Sequence, residues 1–339
     1  VLSLFAGPDD VVVDRALDQP GGDRPAVGFD PRLVLRLRAT LAEMDPDVIV
    51  AHGSEPLKYL VPATAGRRRP LAYYAIGTYS GSDRTSQLLL WRALLGRADV
   101  IAAEGREVRD ECIDRLGADP RRVVVTPNGR DPEVFRPTPA GPAEEDDTAG
   151  SGPLPHVMFV GALTPGKRPD RFIELVGILR TRGLALRATV IGDGPLWSAL
   201  ALPAEKAGVE LLGPRSDVAD QLRQADLLVF PSRPEGEGMP GVLIEAALTG
   251  LPVVATSVPG VRSIVEDGVT GLVVPDDDLE ELVAATATLL AEDDRRRRMG
   301  AAARRHGLER FSLDAVGTAW MGVLEPLLDR VAARRRPAH

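Results

Sequence analysis

Two glutamates with seven residues between them, Glu237 and Glu245, stand in PSRPEGEGMPGVLIEAALTGLPVVA, from Pro231 to Ala255. The stretch reads as a Gly/Pro loop, a helix from Pro240 to Leu248, and the apolar strand Val253 to Ala255. Two helical turns plus the entry loop separate the carboxylates, so both can face one helix N-terminus. A carboxylate in the first turns of a helix is favoured by the macrodipole. If Glu245 also faces a cleft, its two oxygens can accept hydrogen bonds from a vicinal diol such as a ribose. Glu237, on the loop, can reach a sugar hydroxyl or hold the loop itself. Gly238 and Met239 lie at the helix mouth, and the Met239 N–H can meet a diphosphate or a sugar hydroxyl; Pro240 has no N–H to offer. Helix-start electrostatics is the competing explanation for each glutamate, and for Glu235 it is preferred.

A second candidate loop is Gly161 to Pro169, GALTPGKRP, between a strand and a helix. It holds Lys167, one of three lysines with Lys58 and Lys206, and Arg168 follows it. Free N–H groups at a helix start, together with an ammonium, suit a phosphate. An ordinary βα loop with a solvated lysine explains the residues as well. Gly192-Asp193-Gly194-Pro195 is a tight turn that can hold a nucleotide edge, although a plain turn is the simpler account. Asp276 to Asp278 have the look of a metal-binding D-x-D. They follow a strand and precede a helix, so capping is expected and no metal is assigned.

The elements that must position these loops alternate along the whole chain. In the first half, strands are expected at Leu2 to Phe5, Val11 to Val13, Asp47 to Ala51, Leu71 to Ile76, Ala98 to Ala103 and Val123 to Val125. Asp30-Pro31 opens a helix with Asp as N-cap and Pro at the first position. Its apolar residues Leu33, Val34, Leu37, Leu41 and Met44 recur at helical spacing. Further helices are expected at Glu55 to Ala65, Arg84 to Leu95 and Glu107 to Leu116. Thr138 to Pro155 is rich in Pro, Gly and acid and reads as a flexible linker. The alternation then restarts at Val157 to Val160 and ends in three helices, Leu279 to Ala291, Arg295 to His306 and Ser312 to Ala333. The strands are continuous apolar runs, as in a parallel sheet covered on both faces. Two doubly wound α/β halves are therefore expected, with ligands at the C-terminal ends of the strands and a cleft between the halves.

Composition narrows the function classes. The 339 residues suffice for two domains, and 44% apolar with 27% charged residues excludes wholesale disorder. A net charge of −8 argues against a nucleic-acid binder. The single cysteine, Cys112, excludes a disulfide framework and fits a cytoplasmic protein. No run of 18 apolar residues suggests a transmembrane helix. The opening VLSLFAGPDD has neither Met nor a basic n-region, and is expected to be a strand entered midway rather than a signal peptide.

These stretches resemble, in order and spacing, the retaining glycosyltransferases of family 4, which have the two-domain GT-B fold. GALTPGKRPDRFI resembles the family's phosphate loop, VIGDGPLWSAL its strand-turn-helix, and ADLLVFPSRPEGEGMPGVLIEAALTGLPVVAT its E-x7-E segment. GVRSIVEDGVTGLVVPDDD resembles the closing loop and strand, and VVVTPNGRDPEVFRP the segment leading to the linker. The match covers most of Val123 to Phe311; residues 1 to 122 match mainly in architecture. The resemblance implies an acceptor-side domain at 1–137, lacking its first strand and glycine-rich acceptor loop, and a linker at 138–155. It implies a nucleotide-sugar-binding domain at 156–311 and a last helix, 312–339, crossing back to the first domain.

By the same resemblance, Glu245 would hold the ribose and Lys167 the diphosphate, with Gly161, Arg168, Gly192 and Gly194 lining the donor site. Glu237, Gly238 and Met239 would meet the donor sugar, and Lys167 and Glu237 would carry the catalysis. Ala162 stands where many members have Arg, and Gly77 where many have a His; His52 is a weak substitute on the acceptor side. The activity implied is retaining, metal-independent transfer from a nucleotide-diphosphate sugar, a co-substrate rather than a cofactor, to a hydroxyl of a glycan, lipid-linked or small-molecule acceptor. The basic run ARRRP near the C-terminus, with Arg67 to Arg69, can touch an anionic or membrane-linked acceptor at the inner face of the membrane, although a solvated surface is preferred. Another GT-B activity, such as an epimerase or phosphorylase, and a non-catalytic nucleotide-sugar-binding subunit remain the alternatives.

Overall fold

The computed structural model describes residues 2–3, 15–16, 29–66, 69–77, 85–138, 154–234 and 237–335. The expected strand at Val11 to Val13, Glu235, and the linker residues 139–153 lie outside these. Contacts divide the chain into two units, Val1–Glu104 with Val108–Val125 and Trp320–His339, and Gly105–Glu107 with Thr126–Ala319.

The first unit holds β1 (Leu2–Ser3) and β2 (Arg15–Ala16), paired in parallel. Then follow α1 (Pro31–Met44), β3 (Ile49–His52), α2 (Ser54–Ala63), β4 (Leu71–Ala75), α3 (Thr85–Leu95), β5 (Val100–Ala103), α4 (Arg106–Asp110) and β6 (Val123–Val125). Strands β3-β4-β5-β6 form a parallel sheet in sequential order. Asp30 caps α1 as expected, accepting from the Arg32 N–H at 2.8 Å, which contributes about 1 kcal/mol. Leu33, Leu37 and Leu41 bury the expected face, whereas Met44, in the last turn, is exposed. The helix expected over Glu107 to Leu116 is α4 followed by a π-helical turn at Glu111–Arg115. That turn carries the buried Cys112, whose thiol is pushed up to about 12 by burial and by Glu111.

The second unit runs β7 (His156–Val160), α5 (Pro169–Thr181), β8 (Arg187–Ile191), α6 (Trp197–Ala207), β9 (Glu210–Gly213), α7 (Val218–Arg223) and β10 (Leu227–Phe230). It continues with α8 (Gly241–Thr249), β11 (Val253–Thr256), α9 (Val261–Ile264), β12 (Gly271–Val274), α10 (Leu279–Ala291) and α11 (Asp293–Phe311). The last helix, α12 (Leu313–Arg335), begins in this unit, and its residues from Trp320 belong with the first. The helix expected from Pro240 begins at Gly241, because Pro240 is its extended N-cap. The four-residue α9 was not expected; it is too short to show a periodicity.

The six-stranded sheet has the order β12-β11-β10-β7-β8-β9, with every pairing parallel. The chain winds outward from β7 through β8 to β9, then returns to the other side of β7 and winds outward again. The strand order therefore reverses between β7 and β10. Loops leaving the C-terminal ends of those two strands diverge, and a parallel sheet has its crevice there. Apolar runs such as Leu227–Phe230 and Val253–Thr256 are buried along their length, because helices cover both faces.

Candidate functional site

The loops that leave β7 and β10 carry the candidates Lys167 and Glu237, and the fold brings them together. Lys167 Nζ lies 2.5 Å from Glu237 Oε1 and 5.6 Å from the Phe230 ring centroid. The Glu237 side chain is only 4% exposed and that of Lys167 is 29% exposed. A carboxylate so deeply buried needs a cation, and Lys167 supplies it. One of the three ammonium protons faces Glu237, so donor capacity is left for an anion. The backbone joins the same two loops, with the Arg233 N–H donating to Gly166 O at 2.8 Å. Thr256 Oγ1 donates to Ser232 O at 2.6 Å, tying the loop after β10 to the end of β11.

Glu245 lies in the second turn of α8, beyond the first turn where the macrodipole acts most strongly. Its Oε1 nevertheless lies 3.7 Å from where a Cβ of Gly241 would stand, beside the first residue of the helix, and each carboxylate has its own cation. Glu245 Oε1 accepts from Arg130 Nε at 2.7 Å. Met239 is buried, and its sulfur accepts from the Asn128 N–H at 3.4 Å. Gly238 beside it is half-buried.

Gly192 and Gly194 are explained first by close approach. A Cβ at Gly192 would overlap Gly161 O, and one at Gly194 would fall against the Leu163 backbone. Gly161 donates to Ile191 O at 3.0 Å and Leu163 to Asp193 O at 2.9 Å, so the loops after β7 and β8 are stitched backbone to backbone. Arg168, which takes the left-handed conformation at φ 52°, is not a free cation for a phosphate. Its buried guanidinium donates to Asp276 O at 3.2 Å and to Asp277 Oδ1 at 3.1 Å. Asp278 caps α10, accepting from the Glu281 N–H at 2.9 Å, as the capping expectation required.

His52 and Gly77 sit at the C-terminal ends of the adjacent strands β3 and β4. The His52 ring lies 5.1 Å from Tyr74, and Tyr74 meets Trp320 edge-on at 5.2 Å. Burial and the nearby Glu104 charge raise the Tyr74 phenol. Gly77, at φ 68°, donates its N–H to the buried Glu104 Oε1 at 2.6 Å. Near the C-terminus, Arg335 pairs with Asp47 at 2.8 Å, and Arg69 pairs with Asp45. The basic run is thus partly neutralised within its own unit. Arg67, Arg68 and residues 336–339 lie outside the described residues.

Arg130 and Glu104 escaped the sequence reasoning, since the carboxylate that Arg130 meets and the N–H that Glu104 accepts from lie 115 and 27 residues away. The signal available for Arg130 was Gly241, a poor helix former at the first position of a helix.

Residues 4–134 match the family model described as Glycosyltransferase Family 4, and residues 154–292 match Glycosyl transferases group 1. A D-inositol 3-phosphate glycosyltransferase of Kineococcus radiotolerans is 35% identical over 203 residues, which are 53% of this chain and 46% of that protein. A GDP-mannose-dependent alpha-(1-6)-phosphatidylinositol monomannoside mannosyltransferase of Mycolicibacterium smegmatis is 29% identical over 270 residues, 75% of this chain and 69% of that one. The chain spans about half the length of the first of these curated relatives. Among solved structures, Anabaena HepE in complex with UDP superposes with a TM-score of 0.75 at 21% identity, covering 87% of this chain and 82% of that one. That likeness shows the fold, two α/β domains of the GT-B type. Among the described residues, no helix is long and apolar enough to cross a membrane.

Proposed function

We propose, from the premise that this chain belongs to the family 4-type glycosyltransferases, that it moves a sugar from a nucleotide-diphosphate donor to a hydroxyl acceptor with retention at the anomeric carbon and without a metal. The observation that carries the proposal is the Lys167–Glu237 pair at the strand-order reversal of the second unit. A buried carboxylate fixes an ammonium there, and the ammonium keeps free N–H groups. Those groups suit the diphosphate, and the Glu245 carboxylate suits the ribose diol. Glu237, beside Lys167, suits a hydroxyl of the donor sugar. The names of similar proteins agree in class, since one relative is GDP-mannose-dependent and HepE has been solved with UDP and with UDP-glucose.

In the reaction, the bond between the anomeric carbon and the diphosphate oxygen breaks while the acceptor oxygen approaches the same face. The acceptor proton passes to the departing diphosphate oxygen. Lys167 stabilises the negative charge that grows on that oxygen, an effect worth about 3–4 kcal/mol for a well-placed donor in a water-poor site. The alternative, a non-catalytic nucleotide-sugar-binding subunit, draws on Ala162 and Gly77, where many members carry Arg and His. A peripheral membrane location is a further part of the proposal, resting on the lipid-linked acceptor named for one relative. The test is to incubate the protein with UDP-, GDP- and ADP-sugars, with and without hydroxyl acceptors, and to follow release of nucleoside diphosphate. Acceptor-dependent release is expected from one donor. Donor binding with no release under any pairing would leave the binding-subunit alternative in its place.

A further inference from the structure

The contact between Arg130 and Glu245 has no counterpart among the candidates read from sequence. Arg130 is anchored at several points. Its N–H donates to Phe311 O at 2.9 Å, in a parallel bridge with Ser312. Its Nη1 donates to Gly129 O at 3.0 Å, and its Nε to Glu245 Oε1 at 2.7 Å. Its Nη2 lies over Gly241, where a Cβ would overlap it. The guanidinium therefore occupies space that only a glycine at the start of α8 provides. Glycine is the poorest helix former after proline, so local helix stability does not account for it there.

The pair is single-ended. An arginine facing a carboxylate squarely takes both oxygens with two parallel N–H bonds. Here Nε takes one lone pair of Oε1, and Nη1 is turned to a backbone carbonyl. A carboxylate offers about four acceptor positions, so most of the Glu245 capacity stays available. A fixed cation on one oxygen also holds the flexible glutamate side chain in one orientation. It offsets a charge that would otherwise repel a diphosphate.

We propose that Arg130 is a positioning residue that sets the Glu245 carboxylate for the ribose hydroxyls of the donor nucleotide, and that Gly241 makes room for it. The inference rests on the assignment of the ribose to Glu245. The guanidinium acts through Glu245 and not on the sugar nucleotide itself.

The test measures binding to the full chain by calorimetry, using whichever of UDP, GDP and ADP binds best and its 2′,3′-dideoxy counterpart. Arg130→Met is expected to weaken the ribonucleotide about tenfold, the scale of one charge-assisted hydrogen bond, and the dideoxy form less than about twofold. Arg130→Lys should recover part of the loss. Gly241→Ala displaces the guanidinium without removing it and should reproduce the Arg130→Met loss, while the double variant should lose no more than Arg130→Met alone. Retained dideoxynucleotide binding shows in each case that the fold is intact. An unchanged or tightened ribonucleotide affinity in Arg130→Met overturns the inference, as does an equal loss for both ligands. If the unaltered protein binds the two ligands equally, the ribose assignment of Glu245 fails, and this inference fails with it. If it discriminates and Arg130→Met does not alter the discrimination, the inference fails alone.

Discussion

The C-terminal edges of the two parallel sheets are built alike and furnished differently. In the second unit, the edge at β7 and β10 carries Lys167 against Glu237, with Glu245 held by Arg130 on the helix that follows. In the first, the edge at β3, β4 and β5 carries His52, Tyr74 and Gly77, with Glu104 buried and accepting from a backbone N–H. One edge pairs carboxylates with side-chain cations that keep spare donors. The other has a buried carboxylate that accepts from the Gly77 N–H, and a row of aromatic rings, His52, Tyr74 and Trp320. The parallel α/β sheet supplies a crevice in either case, and the side chains decide what it can hold. Charged pairs with spare donors suit a charged, polar ligand such as a nucleotide diphosphate.

Substitutions that separate the two edges sharpen this contrast. The largest effect is expected at Lys167. Lys167→Ala should lower turnover by roughly 100- to 1,000-fold, the scale seen when one donor to a developing oxyanion is removed. Nucleoside diphosphate release reports it, and turnover near that of the unaltered protein would take Lys167 out of the mechanism. Glu245→Ala should weaken donor binding by about 1.5–3 kcal/mol, through loss of charge-assisted hydrogen bonds. Calorimetry reports that loss, and an unchanged affinity would end the ribose assignment.

On the first edge, Glu104→Ala should lower the unfolding free energy by about 1–3 kcal/mol, because the Gly77 N–H loses its acceptor. Nucleotide affinity should not change. A parallel drop in donor affinity would break the contrast, since the first edge would then contribute to the donor site.

The smallest effect concerns pH. His156 is buried at the start of β7, its ring nitrogens facing Gln224 O at 3.0 Å and Thr189 Oγ1 at 2.9 Å. Burial lowers its pKa from 6.5, and burial likewise lowers that of His306. The unfolded chain then binds more protons than the folded one as pH falls below about 6.5, so the stability present above that pH is lost on acidification. The thermal midpoint should fall between about pH 7.5 and about pH 5.5, and His156→Gln should flatten the fall. A slope unaffected by that substitution would place the sensitivity elsewhere.

Much of this was legible in the sequence. Asp30-Pro31 marked a helix start because a side-chain cap and a missing N–H are local properties. The continuous apolar runs marked parallel strands because both faces must be covered. Lys167, Glu237 and Glu245 stood out because each lies on a strand-to-helix segment or in the helix that follows. Arg130 and Glu104 did not stand out, because their partners lie 115 and 27 residues away. The contacts of Arg168 were hidden for a similar reason. Its neighbour in sequence is Lys167, but its neighbours in space are Asp276 and Asp277, 108 and 109 residues on.

By itself, then, the sequence determined the alternation of strands and helices, the loops that carry the chemistry, and the glutamates and lysine within them. These follow from short-range rules of periodicity, capping and turn composition. The tertiary structure decided which charge answers which. Lys167 meets Glu237 because the strand order reverses between β7 and β10, which brings two loops 70 residues apart to one crevice. Glu245 meets Arg130 because Gly241 leaves room above the first turn of α8. Buried charges must be paired, and the identity of the partner is a property of distance in space, which no local pattern encodes.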